Sequence, residues 1–207
     1  MMSAPPPLHY LALGDSYTIG ESVPAEACWP MQLIEQLRRH GVVIDDPRIV
    51  AVTGWTTDEL SAGMDRARLA LSYDLVTLQI GVNNQYRGRP AGQYRGEFSA
   101  LLRRAIRLAG NRPDRVVVVS IPDWGVTRFG SGSGRDPAQI AHELDVFNAI
   151  ARDEASRAGA RFVDITGISR RHPQLVADDG LHPSAEQYTL WTEAIVPVVN
   201  AVLRSTP

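Results

Sequence analysis

The sequence predicts an α/β protein, a three-layer α/β/α sandwich built on a five-stranded parallel sheet. Two observations predict it. Short apolar runs alternate with longer segments of helical periodicity through the whole chain. The runs are apolar along their full length rather than at every second position, as strands covered on both faces must be.

Residues 1–7, with Ala4-Pro5-Pro6-Pro7, are expected to form an extended, disordered tail, and residues 8–207 a single domain. The first strand covers residues 8–13 and ends in Gly14-Asp15-Ser16. Residues 29–40 then carry Met31, Leu33, Ile34 and Leu37 at helical spacing, and residues 49–52 read as the second strand. Thr57 or Asp58 caps a helix running towards Leu71, and residues 75–80 form a third strand between Asp74 and Gly81. A helix over 94–109 places Arg103, Arg104 and Arg107 near its C-terminal end, where the helix dipole favours cations. Residues 116–121, with four successive valines, are too short and too β-branched for a helix and read as the fourth strand. Asp136 caps a long helix to about residue 158, residues 161–164 form the fifth strand, and residues 185–203 a last helix bent or interrupted at Pro197. Between the fourth strand and the long helix, Gly130-Ser131-Gly132-Ser133-Gly134 matches neither G-x-G-x-x-G nor G-x-S-x-G. It is expected to be a flexible loop, a candidate lid.

Composition narrows the chemistry. A chain of 207 residues with 44% hydrophobic residues is too apolar for a disordered protein and long enough to bury a substantial core. All 21 basic residues are arginine, so there is no lysine. That excludes P-loop, Schiff-base, pyridoxal and protein-kinase chemistry, each of which needs a lysine amine. A net charge of −2 gives no field to gather nucleic acid or an anionic membrane surface. Cys28, the single cysteine, cannot form an intrachain disulfide or build a zinc site. The N-terminal segment has no leader-like pattern, and no stretch approaches the ~18 apolar residues of a membrane span. Together these features read as a cytoplasmic protein.

In an open parallel sheet, ligands bind beyond the carboxyl ends of the strands. Four groups of residues fall there: Gly14-Asp15-Ser16-Tyr17-Thr18 after the first strand, Thr53-Gly54-Trp55 after the second, Gly81-Val82-Asn83-Asn84 after the third, and Asp179-Gly180-Leu181-His182-Pro183 beyond the fifth. A hydroxyl becomes a nucleophile when a base takes its proton, and an imidazole serves as that base when its tautomer and orientation are fixed. Asp179 and His182, three residues apart, can meet within one tight turn. Ser16 is the candidate nucleophile. The Ser16 and Gly54 backbone N–H groups and the Asn83 side-chain amide are suitable donors for a developing oxyanion.

These blocks resemble the SGNH (GDSL) hydrolase superfamily: Gly14-Asp15-Ser16, then Gly54 followed by Thr56-Thr57, then Gly81-x-Asn83, then Asp179-x-x-His182, in order over about residues 8–203. The resemblance implies Ser16 as nucleophile, His182 as general base and then acid, Asp179 as its orienter, and Ser16, Gly54 and Asn83 as the oxyanion hole. It implies metal-free hydrolysis of a small-molecule ester or thioester through an acyl-enzyme, with acyl transfer to an alcohol or sugar as the alternative on the same site. A nonenzymatic flavodoxin-like binding module is a remoter alternative. A flavodoxin-like strand order 2-1-3-4-5 is expected. The chain departs from the family pattern at Asn84, where relatives carry Asp, and at Trp55, whose bulk is expected to line or narrow the acyl pocket.

Plainer roles compete at several positions. Ser16 alone would read as a helix cap, and Gly54 and Gly81 as turn glycines. Asp178 rivals Asp179 but, as its neighbour, points elsewhere. Tyr17, Trp55, Tyr86 and Trp124 are the candidate substrate-pocket residues from an aromatic set that also includes Trp29 and Phe129, about half of which should be core. Arg87 and Arg89 are read as solvated surface that can reach a substrate anion, and Cys28 as a small buried apolar residue.

Overall fold

The computed structural model describes residues 6–70 and 72–204. In chain order its elements are β1 (Tyr10–Gly14), α1 (Ser16–Ile19), α2 (Trp29–Arg39), β2 (Arg48–Ala51), α3 (Thr57–Arg66), β3 (Leu75–Gln79), α4 (Val82–Tyr86), α5 (Ala91–Leu108), β4 (Val116–Val119), α6 (Arg128–Gly132), α7 (Pro137–Ala158), β5 (Arg161–Val163), α8 (Thr166–Arg171) and α9 (Ala185–Arg204). The strands form one parallel sheet in the expected order β2-β1-β3-β4-β5. Of the tail expected over residues 1–7, residues 1–5 lie outside the described residues.

The layers follow from handedness. Crossovers between parallel strands are right-handed, so the step from β1 outward to β2 puts α2 on one face, and the three steps in the opposite direction put α3, α5 and α7 on the other. The packing agrees: α2 lies against α9, while α5 lies against both α3 and α7. The central strands β1, β3 and β4 are buried at every residue. Burying each valine of β4 contributes about 1.5–3 kcal/mol. The edge strands β2 and β5 begin instead with exposed Arg48 and Arg161, charges that discourage pairing with another chain. Because the chain leaves β1 towards β2 and later returns to β3 on the other side, the crevice of the fold opens between the carboxyl ends of β1 and β3.

Local expectations are corrected at α3, at the glycine-serine segment and at the last helix. Neither Thr57 nor Asp58 caps α3: Thr56 does, in a capping box where the Thr56 N–H donates to Glu59 Oε2 at 2.9 Å. The helix stops at Arg66 and the backbone turns left-handed at Arg68, φ +43°; Leu71 itself lies outside the described residues. The glycine-serine segment is not an irregular loop. Thr127 caps it by accepting from the Gly130 N–H at 3.1 Å, and α6 runs through Gly132. Gly130 is required by contact, since a Cβ there would lie 2.4 Å from the Trp124 carbonyl oxygen. The last helix continues through Pro197, which lies on its solvent side, where water can satisfy the carbonyl that the missing N–H leaves free. The long helix matches expectation: Asp136 Oδ1 accepts from Ala138 N–H at 3.0 Å, and Gly159 ends the helix at φ +77°.

Among the described residues, no helix is long and apolar enough to cross a membrane. Trp55 lies against α3, where a Cβ on Gly63 would meet its ring at 2.2 Å. Gly96, on the exposed side of α5, has open space at the same position. Two helical glycine-to-alanine substitutions are therefore expected to have opposite signs. Gly96→Ala should stabilise by about 0.5–1 kcal/mol through helix propensity. Gly63→Ala should destabilise by about 1–3 kcal/mol through overpacking. Urea unfolding of both variants checks the pair.

Candidate active site

The first block is shaped by a lack of space. A Cβ on Gly14 would lie 2.0 Å from Thr18 Oγ1 and 2.7 Å from the Gln79 carbonyl oxygen, so only glycine lets β1 run straight into α1. Asp15, not Ser16, caps that helical turn: its Oδ1 accepts from the Tyr17 N–H at 3.0 Å. With capping assigned to Asp15, the Ser16 hydroxyl is left for other work at the bottom of the crevice, where the residue is 4% exposed. Burial pushes the Asp15 carboxyl up to about 7, against the lowering effect of its hydrogen bond from Tyr17.

The second and third blocks are fastened to each other. Gly54 follows β2 at φ +87°, and Arg87 Nη2 donates to its carbonyl oxygen at 2.6 Å. Asn83, in the first turn of α4, donates from Nδ2 to the Trp55 carbonyl oxygen at 2.9 Å. Asn84, fully buried, accepts from the Thr57 N–H at 3.1 Å and donates to Thr57 Oγ1 at 2.7 Å. The amide thus makes both bonds to the neighbouring loop without a charge, and the Thr57 hydroxyl donates onward to Glu97. Arg87 thus braces the loop that holds Gly54, and Arg89 pairs with Asp58 in the first turn of α3 at 2.6 Å.

The fourth block is a closed turn. Asp179 Oδ1 accepts from the Leu181 and His182 N–H groups at 2.8 and 3.0 Å, and Asp179 Oδ2 lies 2.6 Å from His182 Nδ1. The same Oδ2 accepts from Ser22 Oγ at 2.6 Å. Burial alone would raise this carboxyl. The hydrogen bonds from Ser22, His182 and the two backbone N–H groups outweigh it and hold the group at about 2. Asp178 takes no part in the pair; its carbonyl oxygen accepts from Arg128 Nη2 at 2.9 Å. The Phe129 N–H donates to the Gly180 carbonyl oxygen at 2.9 Å, so α6 is fastened to this turn.

Ser16, Gly54, Asn83 and His182 line one pocket of about 200 Å³. Tyr17, Tyr86 and Trp124 line it as expected, together with Phe129, Thr53, Val82 and Leu181. Tyr17 meets His182 edge-on at 5.6 Å between ring centres, and Tyr86 meets Trp124 at 5.4 Å. Trp124 is held from behind by Gln85, whose Oε1 accepts from its Nε1 at 2.8 Å, and Arg135 lies over its ring. Trp55 is a correction: it does not line this pocket, because its ring is turned onto Gly63 of α3 and only its carbonyl faces Asn83. Trp29 is core, donating from Nε1 to Gln79 Oε1 at 3.0 Å, and Cys28 is buried, its thiol pushed up by burial. Sequence reasoning missed Ser22 and named Thr53 at the strand end without assigning it to the pocket. Thr53 directly precedes Gly54 and could have been included on position, whereas nothing in the sequence marks Ser22 as a neighbour of Asp179.

A family model described as GDSL-like Lipase/Acylhydrolase matches residues 12–190. The chain belongs to that family. Membership places this GDSL-family chain among carboxylic ester hydrolases. It is 26% identical over 178 residues to an arylesterase of Vibrio mimicus, covering 85% of this chain and 80% of the relative. In fold it is similar to the lipase/acylhydrolase from Enterococcus faecalis, with a TM-score of 0.75, 17% identity, and coverage of 97% of this chain and 99% of that one. It is also similar to Axe2, an acetylxylan esterase from Geobacillus stearothermophilus, with a TM-score of 0.72, 17% identity, and coverage of 96% and 97%.

The two site carboxylates affect stability in opposite directions with pH. Folding raises the Asp15 pKa, so its contribution is complete below the ordinary carboxylate range and is lost as pH rises through about 7. Folding lowers the Asp179 pKa, so its contribution is present above the ordinary range and is lost as pH falls towards about 2. Asn caps helices as well as Asp does. The Tm of Asp15→Asn relative to the wild type is therefore expected to increase as pH rises from about 4 to about 8. A difference that does not change with pH would show Asp15 ionised throughout.

Proposed function

We propose that this GDSL-family protein hydrolyses small carboxylic esters through an acyl-enzyme on Ser16, with His182 as base and Asp179 as its orienter. The observation that carries the reading is the Asp179–His182 pair at 2.6 Å, with His182 and Ser16 on one pocket wall. An Asp179 held ionised makes His182 Nδ1 the protonated nitrogen. Nε2 is then the lone-pair nitrogen, the tautomer a base needs.

In the proposed course, Ser16 Oγ attacks the ester carbonyl carbon while Nε2 takes its proton. The carbonyl oxygen becomes an oxyanion held by the Ser16 and Gly54 N–H groups and the second Asn83 amide hydrogen, the first being committed to Trp55. Collapse breaks the bond to the alcohol oxygen, which receives the proton from His182. Water then repeats the sequence, giving the carboxylic acid and free Ser16. A pocket of about 200 Å³ suits a short acyl or single-ring group. Pockets for drug-sized ligands measure about 300–1,000 Å³. A longer chain would extend over Tyr86 and Phe129, which are 49% and 38% exposed at the mouth.

Hydrolysis of p-nitrophenyl esters from acetate to decanoate tests this. Ser16→Ala should abolish turnover of the whole series. Asn83→Ala should lower kcat by about a hundred- to a thousandfold, the usual effect of losing one oxyanion donor. It should cost only about 1 kcal/mol in stability for the lost bond to Trp55. Undiminished turnover by Ser16→Ala would overturn the assignment.

A further inference from the structure

Ser22 stands out on backbone grounds. It is one of three described non-glycine residues at positive φ, +66°, with Arg68 and Asn111. L side chains rarely adopt that conformation, which glycine adopts freely. A serine kept in such a position points to a use for its hydroxyl.

The hydroxyl reaches the site carboxylate. Ser22 Oγ donates to Asp179 Oδ2 at 2.6 Å, across 157 residues of sequence. The other carboxylate oxygen is bound by backbone N–H groups of Asp179's own turn, which moves with it. Ser22 is anchored elsewhere: the Gly20 and Glu21 N–H groups both donate to the Ser16 carbonyl oxygen, at 3.1 and 3.0 Å. The Asp179 side chain is 31% exposed, so without an external donor it could turn towards water.

We propose that Ser22 is a positioning residue for the base, its hydroxyl fastening Asp179 Oδ2 to the segment that hangs from the nucleophile's own carbonyl. The hydrogen bonds then form a continuous path from Ser16 through residues 20–22 to Asp179 and His182. A rotation of the carboxylate that would carry His182 away from Ser16 is blocked by a contact to Ser16's own turn. The proposal rests on the reading of Ser16, His182 and Asp179 as the catalytic set.

The test separates the hydroxyl from the backbone. Ser22→Gly removes the hydroxyl and relieves the left-handed strain, whereas Ser22→Ala removes the hydroxyl and keeps the strain. Both are expected to lower kcat for p-nitrophenyl acetate about tenfold, with KM within about twofold, as loss of a hydrogen bond to a charged group implies. Ser22→Gly should melt no lower than the wild type. In an Asp179→Ala background, where no carboxylate remains to hold, neither substitution should change the rate of fluorophosphonate inactivation. Wild-type kcat in Ser22→Gly, or an undiminished effect in the Asp179→Ala background, would overturn the proposal. Turnover by a Ser16→Ala control would instead overturn the catalytic assignment on which it rests, and the two failures are told apart by that control alone.

Discussion

The site depends first on the absence of a side chain at Gly14. With a Cβ there, β1 could not lie against Gln79 and turn within one residue into α1, because Thr18 and the β3 backbone already fill that space. The close approach sets Asp15 where it must cap a buried helical turn, and it leaves Ser16 at the crevice between β1 and β3 with its hydroxyl uncommitted to the cap. Gln79, at the end of β3, extends the same junction: its side chain accepts from Trp29 of α2 and donates to the Ser120 carbonyl oxygen beyond β4. The position of Ser16 is thus inherited from the buried core rather than from a mobile loop.

Around that fixed point, the other loops hold one another. Arg87 and Asn83, from the segment after β3, each grip a carbonyl oxygen of the segment after β2. Asn84 grips the start of α3, and α6 grips the Asp179 turn through the Phe129 N–H. These are neutral or partly exposed contacts of modest individual value, about 0.5–1.5 kcal/mol each. Their effect is geometric. Gly54 and Asn83, two of the proposed oxyanion donors, sit on segments tied to each other, which limits the motion of one relative to the other.

The strands, the burial of the central ones and the four blocks at the strand ends were legible in the sequence because each depends on local residue type: β-branched runs, turn glycines, an acid three residues before a histidine; the sheet order was expected from the family resemblance rather than from residue type. What was not legible depends on which way a side chain turns or on contact between distant segments. Trp55 is adjacent to Gly54 in sequence, yet its ring follows the space left by Gly63 and leaves the pocket. The glycine-serine segment looks flexible by composition, but Gly130 is small because Trp124's carbonyl lies against it. Asn84 departs from the family's acid and still makes its bonds, with Glu97 supplying a carboxylate from α5. Ser22 carries no local signal at all, since its partner is 157 residues away.

The central claim is covalent participation of Ser16, and peptide mapping by mass spectrometry of protein acid-quenched during the first turnovers of p-nitrophenyl acetate addresses it directly. The expected result is an acetyl group on the peptide containing Ser16, formed together with the first equivalent of p-nitrophenol and absent from Ser16→Ala. Turnover with no acetylated peptide, or with the acetyl group on another residue, would contradict it.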